Sequence, residues 1–465
     1  MLPSHDAGDT YRLIIARRNA TEILFSPNGA GWALPRVEIR KHQRIAEQLT
    51  TEVRKAWKLE TCCLLVLSSR SCGHHGEASC AVMECVSHKE KAPAGTYWMP
   101  VNIATECGNE EEAAAIQNAF AELASYTNGE KSGPFAKSGW LRELFGWAYE
   151  QISSLGLRLT GNFRQFNAGP TFSLVRLETD GGALWFKATG PPNAHELPIT
   201  LLLARLFPNY VPGILGVHPS WNGWLSAEVE GRPLDELDEC SAWERAVEGL
   251  AELQIDSIGR ATEVIERQCK DMRLLEVEKR IDPFLARMGD FMRVQDKSSP
   301  TPLRDSELAS LGEGLRETLS LLQSFGCPDT LGHLDCHPGN LLVTQEHCVF
   351  LDWAEACVTN PVITFEYLRR HMERNRVEEP AADARITTAY VRPWESLLSP
   401  EDLRRAIAAV PPVAVLVHAV AGDAWCTLDP VSNPALAGYF RSLTRRMYRD
   451  AVLAAERSER CLTSL

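Results

Sequence analysis

The sequence predicts an α+β chain in which a small α/β domain precedes a β-rich lobe and a larger, helix-rich lobe. Three observations carry this expectation. Apolar runs of strand length crowd the stretch before residue 230. From Leu234 onward helical periodicity dominates. A polar, Gly- and Ser-containing segment from Tyr126 to Pro134 breaks the composition early and reads as a linker, which places a domain boundary near residue 135.

The elements follow in order. Residues 11–16 and 22–25 read as paired strands. Residues 43–57 read as a helix, with Ile45, Leu49, Val53 and Trp57 roughly on one face. Runs 62–67 and 81–86 have strand length. A helix is expected over 140–152, then three strands across 157–188. There, 172–177 alternates, Asp180-Gly181-Gly182 turns, and 183–187 returns. A helix over 196–207 tolerates Pro198 in its first turn. Strands at 213–218 and 223–229 follow, and 341–343 with 349–351 form a short hairpin.

The 465 residues suit two or three domains. A hydrophobic fraction of 45% and a charged fraction of 23% are ordinary for a globular chain. A net charge of -13 argues against nucleic acid or anionic lipid as partners. The first residues lack a basic segment followed by an apolar core. The longest apolar stretch, 406–421, contains Pro411 and Pro412 and falls short of the ~20 residues a span needs, so it reads as a buried helix. No membrane partner and a cytoplasmic location are therefore expected; oligomeric state is left open. The 14 cysteines read as reduced thiols.

Chemistry concentrates in His333-Leu334-Asp335-Cys336-His337-Pro338-Gly339-Asn340 and in Asp352. Phosphoryl transfer needs positioned phosphates, divalent ions and a carboxylate aimed at the acceptor. Asp335 could take or orient the acceptor's hydroxyl proton. Asn340 offers an amide oxygen to a hard cation, and Asp352, twelve residues on, can bridge metal and phosphates. Pro338-Gly339 permits the turn that folds Asn340 back. His333 is expected to hydrogen-bond the loop backbone. A lone Asp or Asn in a loop is usually a turn former, but the ordered set is specific.

These residues, followed by Phe350-Leu351-Asp352-Trp353-Ala354-Glu355, resemble the aminoglycoside phosphotransferase and choline kinase superfamily over about residues 140–450. The resemblance implies a bilobal protein-kinase-like fold, with domains at 1–135 and 136–465, an N-lobe over about 150–230 and a C-lobe over about 231–465. It implies ATP and Mg²⁺ as cofactors, Asp335 as catalytic base assisted by His333, and Asn340 and Asp352 as metal ligands. Lys187 would contact the α- and β-phosphates and Glu196 could pair with it. Gly169, within 167–173, sits where a phosphate-covering loop belongs. Glu228 and Val229 would offer hinge backbone to adenine, with Glu230-Gly231-Arg232-Pro233-Leu234 as the exit. The family's Gly-Asp-Pro-x-x-x-Asp segment is replaced by Thr359-Asn360-Pro361 leading to Phe365-Glu366.

In the first domain, Gly31-Trp32-Ala33-Leu34-Pro35-Arg36-Val37-Glu38 and the helix after it resemble the start of a Nudix domain. Aligning Glu52-Val53 puts Thr51, Lys55 and Ala56 where that family keeps its Arg and paired Glu, which implies a degenerate module without hydrolase activity. Cys62, Cys63, Cys72, His74, His75, Cys80, Cys85 and His88 cluster in sequence but lack usual zinc spacings. Their apolar neighbours favour buried thiols.

The leading functional expectation is an ATP- and Mg²⁺-dependent kinase acting on a hydroxyl of a small molecule, with the helical insert of about 235–330 beside the acceptor. Asp235, Glu236, Asp238 and Glu239 there read as a solvated face. The alternative is a nucleotide-binding pseudokinase or regulatory module. A conventional protein kinase is disfavoured by the lack of an Ala-Pro-Glu after Asp352.

Overall fold

Strand β1 (Asp9–Arg17) is buried on both faces from Tyr11 to Ala16, as only a central strand of a covered sheet can be. In the computed structural model, which describes residues 8–29, 31–41, 43–67, 79–86, 91–107, 110–374 and 381–463, it is such a strand. The sheet also holds β2 (Glu22–Asn28), β3 (Gly31–Ala33), β4 (Arg36–Ile39), β5 (Thr61–Leu67), β6 (Ser79–Cys85) and β7 (Tyr97–Pro100). Its order is β3-β2-β1-β6-β5, with β4 paired to β1 and β7 to β2. The β1–β6 pairing is parallel. Helix α1 (Ile45–Trp57) puts Leu49 and Val53 against Leu13 and Ile15 on one face. On the other, Ile14 and Ile23 meet α3 (Glu110–Thr127), which follows α2 (Val101–Cys107).

Helix α4 (Trp140–Ile152) leads to a second sheet of β8 (Leu159–Ala168), β9 (Ser173–Thr179), β10 (Gly182–Ala188), β11 (Ile214–Val217) and β12 (Gly223–Ala227). The order is β11-β12-β10-β9-β8, all antiparallel. Helix α5 (Glu196–Leu206) sits between β10 and β11 in sequence. Leu144 and Ala148 of α4 pack with Val175, Leu177 and Phe186. One apolar cluster therefore runs from the first sheet through α4 into the second.

The chain divides into two compact units, Met1–Leu197 with Gly213–Glu228, and Pro198–Pro212 with Val229–Leu465. The first unit thus continues across residue 135. The second unit is mainly helical: α6 (Cys240–Asp256), α7 (Ala261–Ile265), α8 (Leu274–Arg293), α9 (Asp305–Ser324), α10 (Pro361–Arg374), α11 (Ala382–Val391), α12 (Pro400–Ala409), α13 (Pro411–Val420), α14 (Ala424–Thr427) and α15 (Pro434–Thr463). Two three-stranded sheets are set among them. One orders β13 (Arg232–Pro233), β16 (Leu341–Val343) and β17 (Cys348–Phe350); the other orders β14 (Lys270–Met272), β18 (Ala356–Thr359) and β15 (Thr330–His333). Trp243, Phe284, Phe365, Tyr390 and Trp394 centre its core.

The expected single helix over 406–421 is two helices bent by 60°. Pro411 and Pro412 lack the N–H groups that would continue α12, and they suit the first turn of α13 instead. Among the described residues no single helix is long and apolar enough to cross a membrane.

Two buried polar contacts join the first sheet to α4 and β8. Glu84 on β6 accepts from Ser138 Oγ at 2.5 Å and from the Gly139 amide at 2.9 and 3.1 Å, which satisfies orphan donors at the start of α4. The Gln165 amide on β8 accepts from Cys63 N at 2.7 Å and donates to Cys63 O at 3.0 Å, so it serves the edge strand β5 as a partner strand would. Glu84→Gln would turn an amide donor toward the α4 amides. The expected loss is about 1–3 kcal/mol of unfolding free energy, measured by urea denaturation.

Candidate active site

β15 ends in His333, which is 1% exposed and has both ring nitrogens engaged. Nδ1 accepts from the Asp335 amide at 3.2 Å, and Nε2 donates to Leu351 O at 2.9 Å. This fixes the neutral Nε2–H tautomer, because a proton on Nδ1 would meet the Asp335 N–H. Burial holds the His333 pKa below its ordinary value, while the nearby Leu351 carbonyl, Asp335 and Asp352 oppose that shift. The ring also lies against Trp353, 4.7 Å between centroids.

The loop after His333 folds on its own backbone. His337 N donates to Asp335 O at 2.8 Å, Asn340 N to His337 O at 2.9 Å, and Gly339 N to His337 Nδ1 at 3.1 Å. Pro338–Asn340 forms one 3₁₀ turn. Asn340 Nδ2 donates to Asp335 O at 3.0 Å and to Asp335 Oδ2 at 3.3 Å. The amide nitrogen is thereby spent on Asp335, which directs the amide oxygen elsewhere. Leu351 N donates to Asn340 O at 2.8 Å, tying the end of β17 to the same turn. Asp352 follows with φ 61° and ψ 65°, left-handed backbone that costs a non-glycine residue about 1–2 kcal/mol.

His333, Asp335, Asn340 and Asp352 are thus brought together in the second unit. Asn340 and Asp352 carry oxygen donors of the kind Mg²⁺ prefers, and two such ligands would leave positions for water and phosphate, as that ion commonly keeps them. Among the described residues no group of three His, Cys, Asp or Glu forms a metal cluster.

The loop is anchored from behind by residues that no motif pointed to. Thr364 Oγ1 on α10 accepts from the His333 amide at 3.1 Å, and both residues are buried. Gly332 allows this approach: a Cβ there would lie 3.0 Å from Thr364 Oγ1 and 2.7 Å from Thr359 Cγ2. The family segment's acidic position falls at Phe365, and the hydroxyl one residue earlier holds the loop. Asn360 Oδ1 accepts from Val362 N at 3.3 Å and starts α10, a job Asn and Asp do about equally well. Leu334 N donates to Glu355 O at 3.0 Å, while the Glu355 carboxylate pairs with Lys270. Beside the loop stand His337, His371, Tyr367 and His418, with successive ring centroids 6.2, 5.0 and 5.8 Å apart. His418 Nε2 lies 2.8 Å from Tyr439 Oη.

The other expected site residues lie in the first unit, apart from Val229, which opens a segment of the second. Lys187 Nζ meets Glu196 Oε1 at 2.5 Å, with side chains 14% and 2% exposed. The ammonium also lies 5.8 Å from the Trp224 ring centroid. Gly169 opens the four-residue connection from β8 to β9, and Phe172 N donates back to Gly169 O at 3.3 Å. The Lys187–Leu174 register puts this loop at the Lys187 end of the sheet. Glu228 is held by Arg176 at 2.7 and 3.0 Å and by Trp185 Nε1 at 3.3 Å. Arg176 draws its carboxyl below the usual range. Its amide donates to Ala183 O at 3.2 Å.

In the N-terminal part, Lys55 pairs with Glu52 at 3.5 Å on α1. Cys62, Cys63 and Cys80 are buried strand thiols, and burial pushes Cys63 up to about 12. Cys72, His74, His75 and His88 lie outside the described residues.

Two measurements check the anchoring. Thr364→Val strands the buried His333 amide and is expected to lose about 1–3 kcal/mol of unfolding free energy in urea, while Thr364→Ser keeps most of it. His333 is depressed in the folded state, so its contribution is complete above the unfolded value of about 6.5 and is lost as pH falls toward the folded value. Unfolding free energy should decline on acidification below about pH 6.5, and His333→Asn should flatten that slope.

Residues 218–397 match the model of the phosphotransferase enzyme family. No curated protein matches the chain. Among solved structures, Plasmodium vivax ethanolamine kinase is similar at 15% identity and TM-score 0.48, over 74% of this chain and 95% of that one. A choline/ethanolamine kinase family protein from Mesorhizobium loti is similar at 16% identity and TM-score 0.42, over 67% and 94%. A macrolide 2'-phosphotransferase from Brachybacterium faecium is similar at 16% identity and TM-score 0.41, over 65% and 98%. Across 218–397, the stretch that holds His333, Asp335, Asn340 and Asp352, the chain is similar to the phosphotransferase enzyme family.

Proposed function

We propose that the chain moves the γ-phosphoryl group of ATP to a hydroxyl of a small molecule, with Asp335 as the base. The observation that carries this reading is the Asp335–Asn340 turn. One amide holds the carboxylate through Nδ2 and keeps its own oxygen for a cation. A carboxylate so fixed can accept the hydroxyl proton as the new O–P bond forms and ADP leaves. His333 orients Asp335 through its amide.

Asn340 and Asp352 are the residues to hold Mg²⁺, which when bound offsets phosphate charge. Lys187, steadied by Glu196, is the cation for the α- and β-phosphates. Since the Glu228 carboxylate is occupied by Arg176 and Trp185, adenine recognition falls to the backbone of Glu228 and Val229.

A screen for ADP formation against sugars, amino alcohols and aminoglycosides tests the proposal. At least one acceptor should be turned over. Asp335→Asn should lower that turnover by about 10²–10⁴-fold while ATP–Mg²⁺ binding persists. Undiminished turnover in the variant would remove Asp335 from the chemistry. Tight nucleotide binding with no turnover on any acceptor would leave a regulatory nucleotide-binding module.

A further inference from the structure

The loop proposed to cover the phosphates, 169–172, is pinned from outside the kinase-like sheet. Phe135 N donates to Pro170 O at 3.1 Å. Gly133 abuts the same proline so closely that a Cβ there would lie 2.7 Å from Pro170 Cβ and 2.8 Å from Tyr126 Cδ1. Phe135 is itself fixed edge-to-face among Trp140, Phe186 and Trp221, with centroids 5.2, 6.1 and 5.3 Å away.

The strand that enters the loop is held from the N-terminal sheet. Gln165, 1% exposed, makes its reciprocal pair with the Cys63 backbone. Arg164 reaches Glu47 of α1 at 2.5 Å. Ala168, the last residue of β8, packs with the cluster formed by α1 and β1. Loop, entering strand and linker are therefore fixed to one surface, and a fixed loop presents its backbone to phosphate without first ordering itself.

We propose that Gln165 and the Gly133–Phe135 linker are positioning residues for the nucleotide phosphates, and that this is what the N-terminal domain contributes to the kinase. The proposal rests on ATP being the donor. The step after phosphate placement is proton transfer at Asp335, in the other unit, so the effect belongs in nucleotide KM rather than in kcat.

The test uses the full chain. Gln165→Met keeps the side-chain length and removes both hydrogen bonds. Gly133→Ala displaces Pro170 from the loop side. Each should raise KM for ATP by about tenfold, with kcat at saturating ATP and KM for the acceptor within about twofold of wild type. Glu84→Gln destabilises the same unit at α4, away from the loop, and should leave KM for ATP unchanged. If Gln165→Met does not fold, Gly133→Ala carries the test alone. An unchanged ATP KM in the folded variants, or an equal rise in Glu84→Gln, would overturn the proposal. A wild-type chain that neither binds nor consumes ATP would instead overturn the assignment of the donor, and this proposal with it.

Discussion

One neutral imidazole holds the reactive loop in shape. His333 has no solvent to fall back on, so each ring nitrogen must keep its protein partner. The partners are the amide of Asp335 and the carbonyl of Leu351, the residue before Asp352. A single rigid ring thereby sets the spacing between the backbones that carry the two carboxylates. The left-handed turn at Asp352 costs about 1–2 kcal/mol, but it is surrounded by the His333–Leu351 and Leu351–Asn340 hydrogen bonds and the Trp353 Nε1 bond to Phe350 O at 3.1 Å. At about 0.5–1.5 kcal/mol each, these suffice to hold it. The strained residue is the one proposed to meet metal, which is where strain is commonly kept.

This loop was legible in sequence because its geometry follows from local chemistry. Pro338-Gly339 sets a turn, Asn340 can only fold back onto the residues before it, and a hydrophobic hairpin of fixed length returns the chain to Asp352. Its anchors were not legible. Thr364 is an ordinary helix residue until β15 is laid beside α10, and its place one residue before the family's carboxylate position hides it from pattern reading. The Lys270–Glu355 pair is 85 residues apart in sequence. Contacts of that span leave no periodic trace, so they follow only from the fold.

The same limit explains the elements missed elsewhere. Helix α3 has apolar residues at Ile116, Ala119 and Leu123, yet its alanine-rich run lacks the strong stripe that marked α1. The break between α12 and α13 was readable from Pro411-Pro412, but the apolar run on both sides masked it. Conversely, β8 to β10 were plain, since alternation, a Gly-containing turn and a return strand act within thirty residues.

The linker-like composition of residues 126–134 suggested two domains that part there, and the physical contacts argue for a different relation. A free linker would leave Phe135 to water; instead it is 2% exposed within an aromatic cluster that includes β10. Glu84 and Gln165 are long polar side chains, each buried, each serving backbone groups of the other segment. Separating the two sheets would strand those groups without partners, a cost of about 1–3 kcal/mol apiece. Helix α1 points the same way. Its Glu47 is given to Arg164 and its Glu52 to Lys55, while Lys55 and Ala56 stand where the Nudix resemblance would place its paired Glu. The helix is employed in holding β8, and polar, glycine-bearing sequence between two sheets can be a docked strap as well as a tether.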